Sequence, residues 1–470
     1  MQSAERGIRI TFMISDLLHR QKRILLTRSV FHLLPSAVVF FLLLVPTFAQ
    51  RQRPKVLPTQ QHQYAGRLLL IPRDSRPVSW KLPRLIARVA DHEVISPPRE
   101  MLGNATTALD AERIIAWAKK QNLSQLSGVI VALDALTENA SEAQDNERLE
   151  FINWLRQQAP NLPIYGFAER ATDAISKLVF DDLLIEPNAN EAAHLLVARL
   201  LNRIHQRPPK VMAIASGDDS PAVFKAIANN IEAVGGQLIK NGKADLFFFV
   251  HTPNTDPAKL AAFTETLAKT IAAGYYVALA DVSGNVEPII AALRERKQLD
   301  LLQAYAASRE PDEAIGKALA HCSTRLIAAK VLRPSLEVEQ LRRAERAQVE
   351  LMLTRYLEDW AYAGNVRART EQYVREQLKA EPTQLGAATE QAEAFVNAEL
   401  KLVAEELFRT QFRYNLHSVM LGNGMRADFQ VELLQRFKAR FSLQRTNELE
   451  LDISVHLPLL IGMSQLPVRK

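Results

Sequence analysis

The chain has 470 residues, 47% hydrophobic and 23% charged, with Pro 23 and Gly 17, which supplies a sizeable core and excludes a collagen-like or wholly disordered chain. Of the net charge of +6, residues 1–49 carry +4 (Arg6, Arg9, Arg20, Lys22, Arg23 and Arg28 against Glu5 and Asp16), so the remainder lacks the basic face of a nucleic-acid binder. The single cysteine, Cys322, excludes an intramolecular disulfide and, within GKALAHCSTRLIAA, reads as a small buried hydrophobe.

The basic stretch HRQKRILLTR precedes the apolar run FHLLPSAVVFFLLLVPTFAQ, uncharged from Ala37 to Pro46. The run is short for a spanning helix, and Thr47-Phe48-Ala49 ends it on a small residue. Residues 1–49 are therefore expected to be a signal peptide or an uncleaved N-terminal anchor, and the rest of the chain is expected outside the cytoplasm, periplasmic or extracellular. Residues 50–65 are polar, Pro-bearing and read as a linker.

From Gly66 the pattern alternates. The apolar runs RLLLIPR, EVIS, GVIVALD, PIYGF, LLIEP, KVMAIAS, DLFFFVH, YYVALAD and LLQAYAA are separated by stretches of helical period. Runs without polar alternation suit strands buried on both faces, and intervening helices imply right-handed crossovers and a parallel sheet. Asp256 before Pro257 and Ser220 before Pro221 are helix starts, and Gly235 and Gly274 are helix ends. Residues 66–332 thus read as an α/β domain of repeated βα units. The units form either a TIM-like barrel or one to two doubly wound, Rossmann-like sheets, and periodicity does not choose between them. Residues 333–470 read as a mostly helical C-terminal region, with helices over 336–378 and roughly 385–410. QRFKARFSL and ELELDISVHLPLL are late strands or irregular packing.

Ligands of open parallel sheets and barrels bind at the carboxyl ends of the strands. That rule selects Asp74 and Arg76 after the first strand, Asp134 after the third, Glu191 after LLIEP, His251 after FFFV and Asp281 after YVAL. The bland reading of each is a helix cap, a turn ion pair or a strand-end hydrogen bond. Glu191 and His194 share a helix face, but without a second ligand pair no metal is assigned. No dinucleotide, Walker, nucleophile-elbow or HExxH motif occurs, so no cofactor is named. The C-terminal helix carries Asp359, Trp360 and Tyr362 beside Gly364, and the aromatics there read as packing rather than as a sugar site.

The stretches IPRDSRPVSWKLPRLIARVADHEVISPPREMLG, VALDAL, IEPNANEAAHLLVARLLNR, ADLFFFVHTPNTD, YYVALADVSGN and RYLEDWAYAGNVR resemble, in order, the bacterial family catalogued as domain of unknown function 4127. By that resemblance the family's acidic turn falls on Asp74, Arg76 and Pro77, and its Pro-Pro-Arg-Glu element on Pro97, Pro98, Arg99 and Glu100. Its Leu-Asp falls on Leu133 and Asp134, and its Ala-Asp-Val on Ala280, Asp281 and Val282. The family's Gly-Ala-Asp-Glu becomes Asn188, Ala189, Asn190 and Glu191, keeping Glu and losing Asp. A family segment is missing between Phe167 and Phe180, and AASREPDEA replaces an Asn-rich element.

Two readings of function stay open. One is an exported carbohydrate-active hydrolase with Glu191 as proton donor, Asp134 as partner carboxylate and Asp74 orienting the ligand. In it Arg76, Arg99, Glu100, His251 and Asp281 complete the ligand-binding rim. The other is a non-catalytic protein that binds a glycan or cell-wall fragment on the same rim. Neither involves nucleic acid, and membrane contact enters only through residues 1–49 if they are uncleaved.

Overall fold

The computed structural model describes residues 63–460, except 104–108, 138–141, 171, 173–174, 176–177, 186–188, 218–220, 254, 333–337, 383–384, 413–416, 421–425, 430, 441–449 and 457–458. The expected signal peptide or anchor lies outside the described residues. Among those described, no helix is long and apolar enough to cross a membrane.

All nine apolar runs form strands, and a tenth, the two-residue β7, joins them. The first sheet holds β1 (Gly66–Ile71), β2 (His92–Ile95), β3 (Gly128–Ala132), β4 (Ile164–Ala168) and β5 (Asp182–Ile185) in the order β2-β1-β3-β4-β5. The second holds β6 (Lys210–Ala215), β7 (Gln237–Leu238), β8 (Leu246–His251), β9 (Val277–Asp281) and β10 (Ala304–Ala307) in the order β10-β9-β8-β6-β7. Every pairing within them is parallel. Each sheet repeats one doubly wound topology, in which the order reverses between its first and third strands. Of the alternatives left open by periodicity, the barrel is thereby excluded and two doubly wound sheets are found.

The connecting helices are α1 (Pro77–Val89), α2 (Ala111–Lys119), α3 (Leu133–Thr137), α4 (Glu142–Gln158) and α5 (Ala189–Ile204) around the first sheet. Around the second are α6 (Pro221–Ala233), α7 (Pro257–Ala272), α8 (Glu287–Glu295) and α9 (Pro311–Ile327). Asp256 caps α7, accepting from the Ala258 and Lys259 amides. Gly235 and Gly274 end α6 and α7 at φ of 71° and 77°, a region other residues enter with strain.

Strand alternation divides the apolar side chains among three cores. Leu68, Leu70, Phe248, Val250, Ala278 and Ala280 face a core shared by both sheets and filled by α1, α5, α6 and α9. Leu69, Ile71, Val129 and Val131 face α2 and α4. Phe249, Val277, Leu279 and Tyr305 face α7, α8 and the C-terminal helices. Phe248 and Phe249 are both fully buried, so a one-residue slip of β8 would exchange two large side chains between cores.

The C-terminal region begins with α10 (Val338–Arg355), which packs on α1. It widens into a π-wound segment, Tyr356–Val366, and continues as α11 (Arg367–Glu376) and α12 (Thr389–Leu407). Arg325 of α9 and Glu345 of α10 form a buried two-bonded ion pair at 2.8 Å that fastens this layer to the second sheet's helices. The late segments are strands: β13 (Glu432–Arg440) and β14 (Glu450–His456) pair antiparallel, and β11 (His417–Met420), β12 (Arg426–Phe429) and β15 (Leu459–Leu460) form a separate antiparallel sheet. Among the described residues, the region is therefore mostly helical to residue 412 and has strands after it.

Candidate functional site

At the carboxyl end of the first sheet, the acidic groups are engaged by their neighbours. Asp74 accepts from the Arg76 amide at 2.9 Å and is gripped by the Arg76 guanidinium at 2.8 and 2.7 Å, so the pair shapes the turn after β1. Asp134, in the first turn of α3, accepts from the Glu169 amide at 2.7 Å, and Glu169 pairs with Arg73. Arg99 donates to the Ser75 carbonyl at 3.3 Å and lies over the Trp80 ring, while Glu100 is exposed. Glu191 sits in the first turn of α5, and its side chain lies outside the described residues. Three residues on, His194 is fully buried and donates Nε2–H to the Val78 carbonyl at 2.9 Å. Burial, and then the Arg355 charge, hold His194 well below the usual histidine range. Among the described residues no group of three or more His, Cys, Asp or Glu is placed to hold a metal.

The end of the second sheet is built differently. Asp281 closes β9 on the face of Val277 and Leu279, toward the C-terminal helices. Its Oδ1 receives the Ser283 amide at 3.0 Å and hydroxyl at 2.7 Å, and lies 2.9 Å from His251 Nδ1. Ser283 Oγ lies 3.0 Å from the same ring nitrogen. A serine nucleophile relay needs hydroxyl and carboxylate on opposite nitrogens of the imidazole. Here both meet Nδ1, so the trio shapes the turn and is no acyl-transfer triad. Gly284, at φ 75°, then turns the chain toward Asn285.

A cavity of about 570 Å³ opens at this point, between the ends of β9 and β10, α8, the π-wound segment and α12. Asp281, Asn285, Ser308, Arg309, Asp359 and Trp360 are among its walls. Asp359 reaches back from the π-wound segment to accept the Ala307 amide at 3.1 Å. Ala307 is the in-register neighbour of Asp281, so both carboxylates flank one strand end. Trp360 is half-buried and donates its indole N–H to Glu287 at 2.7 Å. Paired side chains complete the walls: Arg294 with Glu406, and Arg369 with Glu399 through two bonds of 2.6 and 3.0 Å.

Behind Asp359 lies a buried charged cluster. Burial raises the Asp359 carboxyl to about 7, against the pull of Lys317 and Arg355. Burial also opposes the Lys317 charge, but Asp359 and Glu313 together keep this ammonium above its usual range. Glu313 accepts from Ser308 at 2.6 Å and pairs with Lys317. Arg355 is 1% exposed; it bonds Glu358 at 3.3 Å, while its Nε and Nη2 meet no hydrogen-bond partner among the described residues.

The structure thus gathers Asp74, Arg76 and Arg99 about one turn, with Asp134 joined through Glu169 to Arg73 beside it. It gathers His251 and Asp281 on the other sheet, where Asp281 alone of the seven expected residues whose side chains are described lines the cavity. Trp360 packs against the core as the sequence leads one to expect of an aromatic there, and together with Asp359, to which the sequence assigns no role, it also lines the cavity. The available signal was their place beside Gly364-Asn365, but π winding moves side chains off a 3.6-residue face.

Two parallel doubly wound sheets with a helical layer over the second define an α/β protein with a cavity at the strand ends of the second sheet. The chain matches the family described as Protein of unknown function (DUF4127) over residues 68–171 and 168–452, and it belongs to that family. The two matched stretches overlap at residues 168–171. No curated protein matches the chain. One similar solved structure is a periplasmic solute-binding protein of an ABC transporter from Actinobacillus succinogenes 130z, with bound D-allose. It is 12% identical, with 56% of this chain and 91% of that chain covered and a TM-score of 0.19.

Proposed function

We propose that the protein binds a saccharide outside the cytoplasm, in the cavity at the ends of β9 and β10. The carrying observation is that this cavity of about 570 Å³ sets Trp360 beside acceptors on Asp281, Asp359 and Glu287 and donors on Asn285 and Arg309. Sugar hydroxyls both donate and accept, and a sugar's C–H face packs on an indole, so this mixture suits them better than an apolar ligand. The volume lies within the range of small-molecule sites. Export rests on the basic stretch and short apolar run of residues 1–49.

The test is calorimetry and tryptophan fluorescence on the full chain, against monosaccharides, disaccharides and peptidoglycan fragments. Trp360→Ala is expected to weaken binding about tenfold or more, as loss of a buried aromatic contact does. Absence of heat and fluorescence change across the panel would remove the reading. The strand-end hydrolase with Glu191 as donor and Asp134 as partner gives a different result: turnover abolished by Asp134→Ala or Glu191→Ala and untouched by Trp360→Ala.

A further inference from the structure

We infer that Asp359 and Asp281 form a hydrolytic pair that cleaves a glycosidic bond of the saccharide held in this cavity; the inference rests on the binding reading above. Both groups are deeply buried, at 9% and 1% exposure, and both line the same cavity. Three contacts converge on Asp281 Oδ1, and the Ala307 amide takes Asp359 Oδ2. Among the described residues no hydrogen bond is made to Asp281 Oδ2 or to Asp359 Oδ1. Both residues line the same cavity, so a ligand and a water held there are the candidate partners of those second oxygens.

Their surroundings assign the roles. Asp281 is held as an acceptor by the Ser283 amide and hydroxyl, which suits the base. Asp359 sits where burial keeps its proton near neutral pH, which suits the acid. Lys317 of α9, Arg355 of α10 and Glu358 of the π-wound segment are the charged groups acting on it. In the step, Asp359 gives its proton to the glycosidic oxygen as the bond from that oxygen to the anomeric carbon breaks. The bonding pair leaves with the oxygen, which departs as an alcohol. Asp281 takes a proton from a water whose oxygen forms the new bond to the anomeric carbon, giving a reducing sugar. One proton has moved from Asp359 to Asp281, and solvent returns it. Strand register sets Ala307, whose amide Asp359 accepts, beside Asp281. A water placed between the two carboxyls makes the mechanism an inverting one.

The test uses the full chain and aryl and alkyl glycosides of the sugars that bind. Asp359→Asn keeps the acceptor for the Ala307 amide. It is expected to slow alkyl glycosides about 100-fold or more, yet to slow 2,4-dinitrophenyl glycosides little, because that leaving group needs no proton. Asp281→Asn should abolish turnover of both while saccharide binding persists. The first product, followed by NMR, should have the inverted anomeric configuration whether or not either variant folds. Equal losses on both leaving groups, a retained configuration, or a bound sugar recovered uncleaved from the unaltered chain would each overturn the pair. Binding without cleavage leaves the binding reading standing, whereas absence of binding removes both.

Discussion

The two strand ends have the same topology and opposite chemistry. At the first sheet, Asp74 is closed by Arg76, Asp134 by the Glu169 amide and Glu169 by Arg73, so each charge is met within its own turn or the next. At the second, no donor among the described residues reaches the second oxygen of Asp281 or of Asp359, and both residues line a cavity of about 570 Å³. The difference comes from what lies over the sheet. The first end is finished by its own loops. The second is roofed by a segment from beyond residue 338, which brings Asp359 and Trp360 to β10. A doubly wound sheet supplies a place for a ligand, and an element from outside the sheet equips it.

The strongest way to break this comparison is to loosen the roof. Glu345 is 1% exposed and takes both nitrogens of Arg325, so Glu345→Ala leaves a guanidinium buried without its counter-charge. A loss of about 4 kcal/mol in urea unfolding is expected, with weaker saccharide binding in whatever folds. Unchanged binding at that loss would mean that the second end does not need its roof.

Acid sharpens the comparison next. His92, in β2 of the first sheet, is pushed down to about 4 by burial, and His321, between α9 and α10, to about 3. Below about pH 6.5 the unfolded chain gains protons that these folded sites refuse, so each destabilises the fold as pH falls from 6.5 toward its own value. Asp91 and Asp359 work in the other direction. Burial raises them to about 6 and about 7, so the folded chain keeps protons that the unfolded one releases, and they stabilise as pH falls. The histidine contribution is therefore read as a difference between variants. His92→Gln and His321→Gln are each expected to lose about 3 kcal/mol less than the unaltered chain between pH 6.5 and 4. Urea titrations at stepped pH measure it, and a difference confined to one variant shows which sheet yields first.

These effects also show how far the sequence could be read. The alternation of nine apolar runs with helices is a local property, and all nine became strands. Barrel or open sheets is a question of which strands pair. That choice turned on contacts such as Leu69 with Val129, sixty residues apart, which periodicity does not encode. The two-residue β7 carries too little pattern to be seen at all. Strand ends were legible for the same reason as strands, so Asp74, Asp134, His251 and Asp281 were all located. Whether a strand-end acid is free depends on whether its own turn consumes it, and Arg76 two residues after Asp74 was the one such sign in the sequence. Asp359 arrives from a distant helix whose π winding hides the face it presents, so it was passed over.

The finest discrimination is Asp134→Ala. Removing this carboxylate leaves the Glu169 amide without its acceptor in a half-buried turn and frees the Arg73–Glu169 pair to shift. A loss of about 2 kcal/mol in unfolding free energy is expected. Saccharide affinity at the second sheet should not change, because Asp134 lines no part of that cavity. The same substitution would be ruinous if the first end were the working site. The two measurements on one variant therefore weigh the ends against each other: stability without function places Asp134 in the scaffold, and lost binding or turnover at intact stability would reverse the assignment.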